Sequence, residues 1–110
     1  ISVGNTHLQT KKNTIIDFYK IKKIENVSSI PLVLHGGSGI SNVTRKKLAR
    51  SSNVAKFNIG TEFRILFGNT VRNNISLNKR IYDRVEILKP TIKELKKLTI
   101  KIISNIGPLN

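Results

Sequence analysis

The spacing of apolar and polar positions changes several times along the chain, and each change predicts an element. From Ile15 to about Val27, the residues Ile15, Ile16, Tyr19, Ile24 and Val27 fall mostly on one face of a 3.6-residue period. Lys20, Lys22, Lys23 and Glu25 fall mostly elsewhere, which predicts a helix. "IPLVLH" (30–35) is a continuous apolar run, as expected of a short strand buried on both faces of a parallel sheet, and Pro31 fits only at its start. After "GGSG", Ser41 is a predicted N-cap for a helix over "NVTRKKLARSS". "VAKFNIG" (54–60) alternates and has β-branched ends, so it reads as a further strand. Thr61 is predicted to cap "EFRILFGNTVRNNI", with Glu62 favourably placed in the first turn. "SLNKR" reads as a loop. Over 82–106, Val85, Leu88, Ile92, Leu95, Thr99 and Ile102 recur at three- and four-residue steps, which predicts a last helix that Pro90 kinks or restarts. Residues 1–4 read as the end of a strand running into a polar loop that carries His7.

The predicted order is therefore strand, helix, strand, helix, strand, helix and an extra helix, the signature of parallel βα units. Each strand ends in polar or glycine residues: Gly4 to His7, then "HGGS", then "NIGT". Adjacent strand ends converging on one site is the layout of a (β/α)8 barrel, whose chemistry sits at the C-terminal rim and whose last βα loops often hold a phosphate. A typical barrel needs about 250 residues. The chain is thus expected to be the C-terminal portion of a single barrel domain, about the last three βα units plus a terminal helix, with the N-terminal portion absent. An open doubly wound sheet, which also binds ligands at strand C-termini, is the alternative. Three βα units leave an open sheet edge and uncovered apolar faces, so the isolated chain is expected to fold poorly or aggregate.

Length and composition narrow the partners. The 110 residues suffice for one modest domain, and no apolar run approaches the roughly 18–20 residues that span a bilayer. There is no cysteine, hence no disulfide framework or thiolate metal site, and no signal-like opening, which makes a cytoplasmic location the expectation. The net charge of +14 invites a small basic nucleic-acid-binding module as the rival class. The basic residues are, however, spread from Lys11 to Lys101 rather than gathered, in a chain also rich in Ile and Asn. The few aromatics (5%) form no paired stacking platform. Nucleic acid is accordingly not the expected partner.

His7 and His35 are the only histidines and lie one βα unit apart. On neighbouring rim loops, two imidazoles suit Zn²⁺ or a similar divalent ion; two unrelated loop histidines are the plainer reading. "HGGSG" offers main-chain N–H groups that a ligand can approach closely. With the helix start behind it, the loop makes an anion site, although such loops also serve as plain turns. "NIGTEF" adds a second helix start, with Asn58 and Thr61 as neutral hydrogen-bonding groups; ordinary capping is the alternative there. Lys56 on a strand raises the possibility of a Schiff-base mechanism, but a solvated lysine is the commoner case and the paired histidines favour a metal.

Together these stretches resemble the class II ketose-bisphosphate aldolases, the metal-dependent family that includes fructose- and tagatose-bisphosphate aldolases. "SVGNTH" is similar to the family's sixth-strand segment, "PLVLHGGSGI" to its seventh-strand signature and "VAKFNIGTEFR" to its eighth-strand segment. "IIDF" and "LKPTIKELKKLTIKIIS" sit where the family has its intervening and C-terminal helices. The resemblance implies a Zn²⁺ lyase that reversibly cleaves a ketose 1,6-bisphosphate to dihydroxyacetone phosphate and an aldehyde, glyceraldehyde 3-phosphate for the fructose substrate. It implies His7 and His35 as metal ligands. Gly36, Gly37 and Ser38, with the Asn58-Ile59-Gly60-Thr61 segment, would be the substrate- and phosphate-binding residues. It also implies a homo-oligomer, a dimer or tetramer, when full length. The third metal histidine and the acid that moves the proton belong to earlier strands, so this chain carries no catalytic acid and is expected to be inactive alone. Leu8 stands where the family usually has glycine, and Gly60 where fructose-type members carry Asp and tagatose-type members Ala.

Overall fold

The computed structural model describes residues 1–5, 10 and 13–107. In chain order the elements are α1 (Phe18–Val27), β1 (Leu32–Leu34), a 3₁₀ turn (Gly37–Gly39), α2 (Asn42–Ser51), β2 (Val54–Phe57), α3 (Thr61–Leu77) and α4 (Arg84–Ile106). β1 and β2 pair in parallel across the α2 crossover, the βαβ arrangement that the alternation of strand and helix patterns predicts. Leu32 opposes Val54, whereas Val33 and Leu34 oppose Lys56 and Phe57, so β2 carries one extra residue at Ala55. Leu32 N–H donates to Asn53 O at 2.7 Å at one end of the pair, and Asn58 N–H to Leu34 O at 2.9 Å at the other.

Residues 1–4 do not form the expected strand. They run beside β1 through two bonds, from the Ile1 ammonium to Val33 O and from His35 N–H to Ile1 O (3.2 Å), too few for a regular ladder. The first helix starts at Phe18, not Ile15, because Asp17 is its N-cap and accepts from Lys20 N–H at 2.9 Å. Its buried face is accordingly Ile21, with Phe18 and Ile24 half-covered, while the predicted face residues Ile15, Tyr19 and Val27 are exposed. "VAKFNIG" is a strand only to Phe57, where the chain turns to begin α3. The cap of α3 is Gly60, and Thr61 is its first helical residue. Ser41 caps α2 as expected, accepting from Thr44 N–H at 3.1 Å. Helix α3 extends through Ser76 and Leu77, which shortens the expected loop.

Pro90 does not restart α4, which is continuous from Arg84 to Ile106. A proline leaves the carbonyl four residues earlier without its helical donor, here that of Glu86. The Asn74 side-chain amide of α3 donates to this carbonyl and to Ile87 O, both at 3.0 Å, and replaces the missing bond from outside the helix. The side of α4 that is covered carries Ile87, Thr91, Leu95, Leu98 and Ile102. Val85, Ile92 and Thr99 of the predicted stripe are exposed.

The core joins Val3, Ile16, Ile21, Leu32, Leu34, Ile40, Leu48 and Val54, all from the sheet, its flanking segments, α1 and α2. Helices α3 and α4 pack on each other and stand out from it, so the radius of gyration is 17.1 Å, against about 13 Å for a compact chain of this length. Among the described residues no helix is long and apolar enough to cross a membrane.

Candidate functional site at the strand ends

Parallel pairing puts the C-terminal ends of β1 and β2 side by side, and the predicted site residues follow both ends at once. His35 directly follows β1 and is exposed; its Nδ1 lies 3.3 Å from the amide nitrogen of Asn58, the residue directly after β2. His7 and Leu8 lie outside the described residues. Among the described residues, no group of three His, Cys, Asp or Glu side chains stands together as a metal site. Lys56 is on an exposed face of β2.

The loop after His35 is built on glycine for two separate reasons. Gly36 adopts φ 61°, ψ 29°, the left-handed region that other residues enter at a cost. Gly37 packs so tightly that an added Cβ would meet Ile59 Cγ1 at 2.9 Å and Asn58 O at 3.1 Å. The loop's own amides are partly committed. Gly37 N–H donates to Asn58 O at 2.9 Å, Gly39 N–H to Gly36 O at 3.2 Å, and Ile40 N–H to Gly37 O at 3.2 Å. Gly37 thus ties the two strand ends together, and the N–H groups not used in these bonds are those of Gly36 and Ser38. Ser38 is buried, and its hydroxyl accepts from Glu62 N–H at 3.3 Å. The 3₁₀ turn is thereby joined to the first turn of α3. Ile59, Gly60 and Thr61 are half-buried beside it. Arg64 donates to Thr61 Oγ1 at 3.3 Å, and its Nη1 lies 3.0 Å from where a Gly60 Cβ would stand.

Two residues that the sequence pattern does not mark, Asn5 and Arg45, hold this arrangement together with Glu62. Asn5 is buried; its Oδ1 accepts from Val3 N–H at 2.6 Å while its Nδ2 donates to His35 O, which fixes residues 3–5 beside the end of β1. Arg45 of α2 is fully buried under the loop. Its Nε donates to Gly37 O at 2.9 Å and its Nη2 to Ser38 O at 3.3 Å, and Nη2 also pairs with Glu62. Burial pulls the Arg45 pKa down to about 10, which still leaves the guanidinium charged at neutral pH. The available signal was weak: Arg45 lies on an otherwise basic helix, and nothing in its spacing separates it from Lys46 and Lys47.

Chemically, the site offers an imidazole at a rim, an amide side chain touching it, two main-chain donors that make no bond among the described residues, two hydroxyls and a helix N-terminus, a set suited to holding an anion next to a polar reaction centre.

Comparison with known proteins assigns the chain to a family. The family model described as fructose-bisphosphate aldolase class II matches residues 1–110. The chain is 34% identical to a fructose-bisphosphate aldolase of Mycoplasma genitalium, over 98% of this chain and 40% of that protein. It is 31% identical to the fructose-bisphosphate aldolase of Geobacillus stearothermophilus, over 96% of this chain and 37% of that one. Among solved structures, the YdjI aldolase from Escherichia coli K12 superposes with a TM-score of 0.76 at 26% identity, covering 97% of this chain and 37% of that one. The chain thus spans about 40% of the length of the curated relatives it matches. With the match running over all of its residues, the chain belongs to the class II fructose-bisphosphate aldolase family.

Proposed function

We propose that the chain forms the C-terminal portion of a (β/α)8 aldolase barrel, about its last three βα units with a terminal helix. We propose further that the full-length protein is a metal-dependent lyase that reversibly cleaves fructose 1,6-bisphosphate to dihydroxyacetone phosphate and glyceraldehyde 3-phosphate. The observation that carries this reading is the joining of the two strand ends: the loop His35–Ser38 is bonded to Asn58 through Gly37 and to the start of α3 through Ser38. The names of the two curated relatives favour the fructose over the tagatose substrate. The exposed apolar residues of α3 and α4 fit a chain that takes its place in a larger barrel.

An exposed imidazole at the end of a strand is the kind of donor that a divalent ion takes. His35 supplies a rim imidazole beside Asn58, His7 lies outside the described residues, and the remaining ligands would come from earlier strands. A divalent ion held there would supply Lewis-acid stabilisation of the charge that aldol cleavage leaves on the ketone oxygen. The rest is the work of this chain. Gly36 and Ser38 amides, with Thr61 and the N-terminus of α3, hold the phosphate of the dihydroxyacetone half. Asn58, in contact with His35, orients the imidazole and binds the substrate near its reacting carbons. Anchoring the phosphate lets remote binding energy align the bond to be broken. The proton is moved by an acid outside this chain.

The test is zinc content and fructose-bisphosphate cleavage of the full-length protein. His35→Ala is expected to abolish cleavage and lower the bound zinc; activity that survives both this substitution and a chelator overturns the reading.

A further inference from the structure

The loop that follows β1 rests on a charge that the proposed reaction does not itself use. Arg45 has no solvent exposure, and its guanidinium spreads over three acceptors that belong to two different elements: the carbonyls of Gly37 and Ser38 in the 3₁₀ turn, and the Glu62 carboxylate in the first turn of α3. Its Nη1 is buried with no hydrogen-bond partner. Stability alone is a poor account of this arrangement. A buried ion pair is often no better than well-packed apolar side chains of the same volume, and an orphaned N–H adds a further cost.

What the guanidinium does achieve is direction. In a trans peptide the C=O and the N–H point opposite ways. The Gly37–Ser38 peptide has its oxygen drawn inward by Arg45 Nε, so the Ser38 N–H is turned to the side away from Arg45. The Ser38–Gly39 peptide, held by Nη2, sends the Gly39 N–H back to Gly36 O and closes the turn. Glu62 couples the two elements twice. Its carboxylate holds Arg45, and its N–H donates to Ser38 Oγ. The turn and the start of α3 are thus locked in one relative position, with a positive charge behind the loop.

We propose that Arg45 is a positioning residue: held by Glu62, it draws the Gly37 and Ser38 carbonyls inward and thereby aims the Ser38 amide at the phosphate of the substrate. The inference rests on the proposed phosphate site and deepens it. Arg45 touches no reacting atom. Its contribution reaches the substrate only through the geometry of the turn, so its loss weakens phosphate binding first.

The experiment uses the full-length protein, unsubstituted and as Arg45→Met, Arg45→Lys and Glu62→Gln. Inorganic phosphate affinity is read by isothermal titration, kcat and KM for fructose 1,6-bisphosphate by cleavage, and folding by thermal melting. Arg45→Met is expected to weaken phosphate binding and raise KM by about tenfold or more, the loss of one aimed donor to a charged group. Arg45→Lys recovers part of this, because a point charge reaches one carbonyl but not the forked set. A folded Arg45→Met protein with unchanged phosphate affinity and KM, whatever its melting temperature, overturns the inference. If Arg45→Met does not fold, Glu62→Gln decides: weakened phosphate binding supports the positioning role, and unchanged binding refutes it. An unsubstituted protein that neither binds phosphate nor cleaves the substrate removes the proposed function itself, and the inference with it.

Discussion

Residues 1–57 and the pair α3–α4 are built on opposite terms. In the first region every large side chain of the core cluster is covered, and the packing draws on the sheet, both flanking helices and the N-terminal segment. In the second, α3 buries no residue and α4 buries only Thr91, while Phe67, Ile75, Leu77, Val85, Ile92, Ile100 and Ile103 remain exposed. Helices α3 and α4 still hold each other, and Asn105 donates to Asn42 O at 3.1 Å to tie the end of α4 to α2. The difference teaches where rigidity is placed. The strand ends and the loop they carry stand on the covered region, as a site that must hold its geometry requires. The helical pair extends from that platform with apolar faces suited to further packing.

The contrast is broken most strongly from within the core. Leu34→Ala removes a fully buried side chain directly before His35 and is expected to cost about 2–5 kcal/mol, as large-to-small core changes do. Ile92→Ala on α4, where the residue is 70% exposed, is expected to cost under about 0.5 kcal/mol. Hydrogen exchange in the full-length protein checks both. The first substitution should lower protection throughout residues 32–57, and the second should leave that stretch unchanged. Equal losses from the two substitutions would show that the regions are one cooperative unit.

The same contrast explains what could be read from the sequence. β1 and β2 were legible because a continuous apolar run and an alternating one have few other uses, and α2 because Ser41 is a strong cap in a clear position. The α1 and α4 faces were misjudged for a physical reason. Periodicity assigns a face only when one side is buried, and Ile15, Val27, Val85 and Ile92 are apolar residues that this chain leaves in the open. The strand ends announced themselves through His35, the glycines and Asn58. Asn5 and Arg45 did not, because each acts through main-chain carbonyls brought close only by the fold, and Glu62 was legible as a first-turn residue but not as the partner of Arg45. That α4 runs on through Pro90 was not legible, because the donor that replaces the missing N–H lies on another helix, at Asn74.

A glycine at the junction of the two strands sharpens the comparison at the site. Gly37→Ala forces a methyl group against Ile59 Cγ1 and against the Asn58 carbonyl, and the carbonyl cannot withdraw without straining its bond from Gly37 N–H. The expected cost is about 1–3 kcal/mol, with exchange rising at residues 36–40 and 58–62 and little change in α4. Asn74→Ala probes the other region: it strips the donor from the Glu86 carbonyl beside Pro90 and is expected to cost about 1 kcal/mol. Its effect should appear as fraying confined to the first turns of α4, so protection lost from β1 or β2 would contradict the separation.

The smallest expected effect lies at the opposite end of the sheet. Glu25, near the end of α1, accepts from Lys22 Nζ at 2.8 Å and from Asn53 N–H, the residue before β2, at 2.7 Å. The lysine first and the main-chain donor second hold the carboxyl below its ordinary value of 4.5. A carboxyl with a lowered pKa in the folded state adds stability that is fully present above 4.5 and fades as pH falls through the lowered value, when the bound proton removes the acceptor. The tie from α1 to β2 should therefore be constant from neutral pH down to about 4.5 and weaken only below it. Because the Lys22 side chain is 64% exposed, the change is modest and shrinks further in high salt. Thermal melting of the unsubstituted protein and Glu25→Gln checks this: the two should differ at pH 7 and converge as the acid limb is descended. A difference that persists unchanged at the lowest pH would assign the effect to packing rather than to the charge.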